Sequence, residues 1–124
     1  MSDLVTVTNV SRGRTLGTRI GLADSWWSRL RGLLGRPAPA EGEGLLLLPC
    51  RSVHMFGMPY ALDVAFLDRA GSVIAAYHAL PPGARSRWHR RAHAALELPP
   101  GTLRRTDTRE GDVLTWQTAA EAAA

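Results

Sequence analysis

Apolar and polar residues alternate near the start of the chain and run together in its middle. From Leu4 to Val10, Leu4, Thr6, Thr8 and Val10 fall on one side and Val5, Val7 and Asn9 on the other, a period-two strand pattern rich in β-branched residues. Ser11-Arg12-Gly13-Arg14 is a turn, and Thr15 to Leu22 reads as a second strand weakened by Gly17 and Gly21, so the two are expected to form a hairpin. The period then changes. Trp26, Leu30, Leu33 and Leu34 stand at helical spacing behind Asp24 and Ser25, which supply an N-cap, and ahead of Gly35 and Pro37, which end the run. This predicts a helix over 24–35, with Trp26 and Trp27 read as core and anchor rather than as a platform for bases.

Beyond a Pro/Ala/Glu/Gly loop at 37–44, the continuous run Leu45 to Leu48 reads as a strand buried on both faces. Leu62 to Leu67 and Ser72 to His78 read as a hairpin closed by Asp68-Arg69-Ala70-Gly71, with Gly71 in the left-handed position. An uninterrupted register would set Asp68 opposite Ser72, Phe66 opposite Ile74 and Asp63 opposite Tyr77. Both faces of this hairpin are apolar, which calls for a sheet covered on two sides or rolled up. Pro81 to Arg91 cannot be core. Ala92 to Leu98 is a strand with His93, Ala95 and Glu97 on one face and Ala94, Leu96 and Leu98 on the other. Thr102 to Arg109 holds a short helical turn, and Val113 to Trp116 is the last strand. The pattern implies a mainly β (α+β) domain, a small rolled sheet or barrel with one helix in its N-terminal half. Residues 1–118 form the globular unit and 119–124 a frayed tail.

Composition narrows this only a little. At 124 residues, 45% hydrophobic and 21% charged, the chain has the make-up of one folded domain. All 15 basic residues are Arg and the net charge is +4. Such a balance can serve nucleic acid or an anionic membrane, but Arg without Lys beside abundant Ala, Gly and Pro is what a GC-rich genome writes, so a nucleic-acid partner is disfavoured. One Cys excludes an internal disulfide and suits a reducing compartment. No run approaches the ~20 apolar residues of a membrane span, and the first residues have no signal-type apolar core. The expectation is a soluble, cytoplasmic monomer.

The chemistry concentrates in CRSVHMFGMPYALDVAFLD, Cys50 to Asp68. Cys50, His54 and Met58 follow C-x-x-x-H-x-x-x-M, soft ligands of the kind copper or zinc selects, although Gly57 and Pro59 oppose the helix that would align them. Core filling by Cys50, Met55 and Met58 is the plainer reading. A Cys50–His54 nucleophile–base pair oriented by Asp63 is the catalytic alternative. Asp63 and Glu97 each stand inside an apolar strand, where a carboxylate needs partners, and Arg31 and Arg51 are the candidate cations. Asp68 and Asp112 read as turn residues. Within the basic loop 85–91, ARSRWHRR could clasp phosphates while Trp88 stacks on a base. A solvated loop, or a lid over Cys50–Met58, is the simpler role.

These residues resemble a known family. Val53-His54, Met58, Leu62-Asp63-Val64 and Phe66-Leu67-Asp68 match the signature of domain of unknown function 192. RLRGLLGRP, AALELPPG and EGDVL match its flanking segments in order over roughly Arg14 to Trp116. The resemblance implies a small, mostly β, barrel-like fold with one helix near the N-terminus. It implies no activity, cofactor or substrate. The combined reading is a non-enzymatic ligand-binding or accessory protein that takes an unknown small ligand or protein partner. Its pocket draws on His54, Met58, Asp63, Glu97 and Arg31. The alternatives are a metal site at Cys50, His54 and Met58, or a Cys/His hydrolase or transferase.

Overall fold

A computed structural model describes residues 4–23 and 37–123. The helix expected over 24–35, with Trp26, Trp27 and Arg31, lies outside the described residues. Seven strands form one sheet: β1 (Leu4–Asn9), β2 (Arg14–Ala23), β3 (Glu43–Leu47), β4 (Leu62–Leu67), β5 (Val73–Leu80), β6 (Ala94–Leu98) and β7 (Leu114–Thr118). Two short helices, α1 (Thr102–Arg105) and α2 (Ala119–Ala123), complete the described elements. The sheet order is β5-β4-β6-β3-β2-β1-β7, with β2 and β3 parallel and every other pair antiparallel.

The sheet rolls without closing. Its end strands meet at one corner, where Ser72 bridges Val113, Val73 N–H donates to the Asp112 carbonyl at 2.8 Å, and Leu114 N–H donates to the Gly71 carbonyl at 2.8 Å. Asp112 holds this corner from the side-chain level. Its Oδ2 accepts from Asn9 Nδ2, Arg12 Nε and the Arg109 N–H, each at 3.0 Å. Burial alone would raise the Asp112 pKa, but these donors outweigh it and hold the carboxyl at about 2.

Rolling creates two apolar layers. Inside lie Val5, Val7, Leu16, Ile20, Leu46 and Leu96 with their neighbours. Outside, over β3 to β6, lie Leu45, Leu47, Leu62, Val64 and Phe66, covered by Val53, Met55 and Ala92 from the connecting loops. Every residue of β4 is buried, which fits its apolar run. The hairpin register departs from the uninterrupted one. Leu67 faces Val73 as expected, but Phe66 faces Ala75 and Val64 faces Tyr77. Ile74 is the extra residue of a β-bulge, so Ile74 and Ala75 both pack on the outer layer. Asp63 therefore does not oppose Tyr77.

Gly71 is required twice over at the corner. Its φ is +85°, and an added Cβ would run into the Leu114 carbonyl. Gly13 also has positive φ, +66°, but faces open space. Gly71→Ala should cost about 3 kcal/mol in urea unfolding and Gly13→Ala about 1. Equal costs would contradict this account of the corner.

Candidate functional site

The carboxylate expected to be hardest to place, Asp63, is fully buried and fully occupied. Oδ1 accepts the Ala79 N–H at 2.8 Å, and Oδ2 accepts the Gly101 and Leu103 N–H groups at 3.0 Å each. Ala79 is held at φ +49°, and Gly101 and Leu103 flank the start of α1. Asp63 thus ties the end of β5 and the first turn of α1 to β4. It faces the inner layer, between the outward Leu62 and Val64.

Glu97 is on the opposite face. It pairs with Val64 on β4 and Leu45 on β3, both outer-layer residues. It is 9% exposed, and burial raises its pKa to about 7. Among the described residues no donor reaches its carboxylate. The two strand carboxylates thus do not share a hollow. One is a clip inside the roll and the other a desolvated acid outside it.

The segment between Cys50 and Asp63 is irregular, so the C-x-x-x-H-x-x-x-M spacing puts no helical face together. It runs instead as an extended ribbon against the basic loop. Ser86 N–H donates to the Val53 carbonyl at 2.9 Å, Met55 N–H donates to the Ala84 carbonyl at 2.6 Å, and His54 bridges Arg85. Val53 and Met55 point into the outer layer while His54 between them is exposed. Cys50 and Met58 are partly buried against that layer, and Cys50 Sγ donates to the Ser52 carbonyl at 3.1 Å. The structure therefore groups Cys50, Met58 and Glu97 on the outer face and separates His54 and Asp63 from them. Among the described residues no three His, Cys, Asp or Glu side chains are placed to hold a metal ion.

The basic loop is strapped down rather than hinged as a lid. His89 packs on Phe66 with ring centroids 4.5 Å apart, and its Nε2 lies 2.8 Å from the Tyr77 hydroxyl, which also accepts the Arg87 N–H. Burial, helped by the charge of Arg87, lowers the His89 pKa.

A groove of about 640 Å³ opens beside the start of this ribbon, lined by Arg51, Arg69, Arg90, Arg91, His93 and Asp68 among others. Asp68 Oδ1 accepts the Ala70 and Ser72 N–H groups, closing its own turn as its sequence position suggested. Arg51 Nε donates to the Arg90 carbonyl at 3.1 Å. The ion pairs among the described residues involve Arg12, Arg19 and Arg109, never these four arginines. From the sequence, Arg51 is a candidate partner for buried acids or for Cys50, and Arg69 a turn residue. No spacing rule links positions 51, 69 and 90; only the fold of the sheet does.

Fold and site define a single rolled β-sheet whose outer face carries a strapped, arginine-rich cover. The chain belongs to the family domain of unknown function 192 (DUF192, Uncharacterized ACR), whose model matches residues 7–116. A UPF0127 protein of Thermococcus sibiricus is 28% identical over 94% of this chain and 77% of its own length. A crystal structure of a protein of unknown function from Novosphingobium aromaticivorans aligns at TM-score 0.76 and 26% identity, covering 90% of this chain and 83% of that one. A second, from Sinorhizobium meliloti, described as a "putative transcription regulator", aligns at TM-score 0.74 and 27% identity, covering 94% and 96%.

Asp63→Ala should cost about 3 kcal/mol in unfolding experiments, because three backbone donors lose their acceptor. Glu97 behaves oppositely. Burial raises its folded-state pKa from 4.5 to about 7, so the folded protein holds that proton more tightly and stability falls as pH rises through this window. Glu97→Gln should therefore stabilise the protein at pH 8 by on the order of 3 kcal/mol and leave it nearly unchanged at pH 4. Thermal melts at both pH values check this; a loss of stability at pH 8 would contradict it.

Proposed function

We propose that this protein is a non-enzymatic binding protein whose ligand is anionic and sits in the groove beside the Cys50–Asp63 stretch. The observation that carries the reading is the convergence of Arg51, Arg69, Arg90 and Arg91 on one groove without a salt bridge to any described carboxylate. Arginines so placed repel one another unless an anion sits between them, and guanidinium forks match phosphate and carboxylate oxygens. The backbone beneath supports the arrangement. Pro49 and Leu48 close the end of β3, His93 N–H donates to the Leu67 carbonyl at 2.7 Å, and Cys50 N–H donates to the His93 carbonyl at 3.1 Å.

Binding is favoured over catalysis by what the ionisable groups are already doing. Asp63 clips backbone, Asp68 and Asp112 close turns, and His89 is tied to Tyr77. The proposed groove lies on the stretch where the sequence put a pocket, and its lining has Arg51, Arg69, Arg90 and Arg91 where His54, Met58, Asp63 and Glu97 were expected. A single globular unit over 1–118 and a monomeric, cytoplasmic protein remain part of this reading.

Titration calorimetry with inorganic pyrophosphate at low salt tests it. Binding should be measurable, and the double variant Arg51→Ala/Arg90→Ala should weaken it at least tenfold with an unchanged melting temperature. Arg104→Ala, on the exposed side of α1, should bind as the parent does. No heat of binding, or equal loss in the Arg104 variant, would overturn the proposal.

A further inference from the structure

The loop that reaches the groove at Arg90 and Arg91 also carries Arg85 and Arg87, both exposed, and Trp88, which is 68% exposed. Its base is fixed on both sides. Arg87 N–H donates to the Tyr77 hydroxyl at 3.1 Å, and His89 N–H donates to the Arg51 carbonyl at 2.8 Å while its ring lies on Phe66. Trp88 therefore stands out from a backbone anchored immediately before and after it. The residue that follows the anchor is Arg90, whose carbonyl is held by Arg51 on the groove wall. An indole exposed on a fixed base offers a flat face on which an unpaired base can stack.

We propose that the arginine groove and the Trp88 rim together form a seat for single-stranded nucleic acid, the phosphates lying along Arg85, Arg87, Arg51, Arg90, Arg91 and Arg69 and one unpaired base stacking on Trp88. This rests on the anionic reading of the groove and goes beyond it by naming the ligand class. Charge and shape both select the class. Four of the chain's 15 arginines line the groove, and Arg85 and Arg87 are exposed on the loop that reaches it at Arg90. A row of guanidinium groups next to a flat aromatic face is how proteins grip strands without reading their sequence. A duplex offers no free base face to the indole, so the single strand is preferred. An anionic membrane fits less well. The other exposed aromatic among the described residues, Phe56, is 79% exposed but sits at the Gly83 end of the ribbon. The pairing of Val53 with Ser86 and Met55 with Ala84 puts His54 and Arg85 between it and Trp88. Polar side chains thus interrupt what would have to be a continuous apolar insertion face. His89, the remaining basic residue of the loop, faces inward, and its lowered pKa leaves it outside the cationic row.

Fluorescence anisotropy with a labelled oligothymidylate of about 12 nucleotides tests this, a length within the usual range of single-strand sites. The full chain should bind the strand more tightly than a duplex of equal length, with an affinity that falls steeply as salt rises. Trp88→Ala should lower strand affinity on the order of tenfold while leaving pyrophosphate binding at the parent value. Arg85→Ala/Arg87→Ala should lower strand affinity and flatten its salt dependence. Pyrophosphate binding without strand binding would overturn this inference and leave the anionic groove standing. Loss of both would remove the groove as well. Equal binding to duplex, or preferential binding to phosphatidylglycerol vesicles that Phe56→Ala abolishes, would also overturn it.

Discussion

β4 is buried from end to end and on both faces. Leu62, Val64, Phe66 and Leu67 are sealed from solvent, each contributing about 2 kcal/mol by burial. A strand of this kind needs apolar cover on both faces, here one layer inside the roll and a second outside. The inner layer comes from the neighbouring strands and from Leu103 of α1. The outer layer has to be recruited from the connections, and the 49–61 and 81–93 segments supply it through Val53, Met55, Ala84 and Ala92. The cover is held by backbone hydrogen bonds between the two segments, so it is extended chain with alternating inward and outward side chains.

That alternation distributes the polar residues. Along the paired stretch Val53, Met55, Ala84 and Ser86 point inward, and His54, Arg85 and Arg87 point outward. Carboxylates follow the reverse rule. Asp63 and Asp112 are consumed by backbone and side-chain donors within the fold, which leaves the arginines of one flank uncompensated. The cationic surface is thus a consequence of how the buried strand is covered and of where the acids are spent. The net charge of +4 is therefore spread unevenly, with four arginines and a single carboxylate, Asp68, lining the groove.

Most of the architecture could be read from the amino-acid order because its strands are short, apolar and bounded by Gly and Pro. Leu45 to Leu48 and Leu62 to Leu67 announce themselves as doubly buried by having no polar alternation. Asp68 and Gly71 mark the turn between β4 and β5. The register of that hairpin was not legible: the bulge at Ile74 follows from packing two successive residues on the outer layer, and no local rule requires it. The site was legible only in part. Asp63 and Glu97 look equivalent as single acids in apolar strands, yet they belong to opposite faces. Telling them apart requires knowing that Asp63 meets Leu98 while Glu97 meets Val64 across the same strand pair. Arg69 is the clearest omission. It sits in a turn, and nothing brings it to Arg90 until β4 and β6 are placed side by side.

The groove and the Trp88 rim keep their shape only if the two-segment cover is a fixed layer of the structure. Hydrogen exchange resolved at single amides measures this directly, through the N–H groups of Met55, Ser86 and His89, which donate to Ala84, Val53 and Arg51. If the cover is fixed, these three amides exchange about as slowly as those of β4 and β6, reporting opening only with the sheet itself. Exchange at the rate of an unstructured loop, with β4 and β6 still protected, would contradict it.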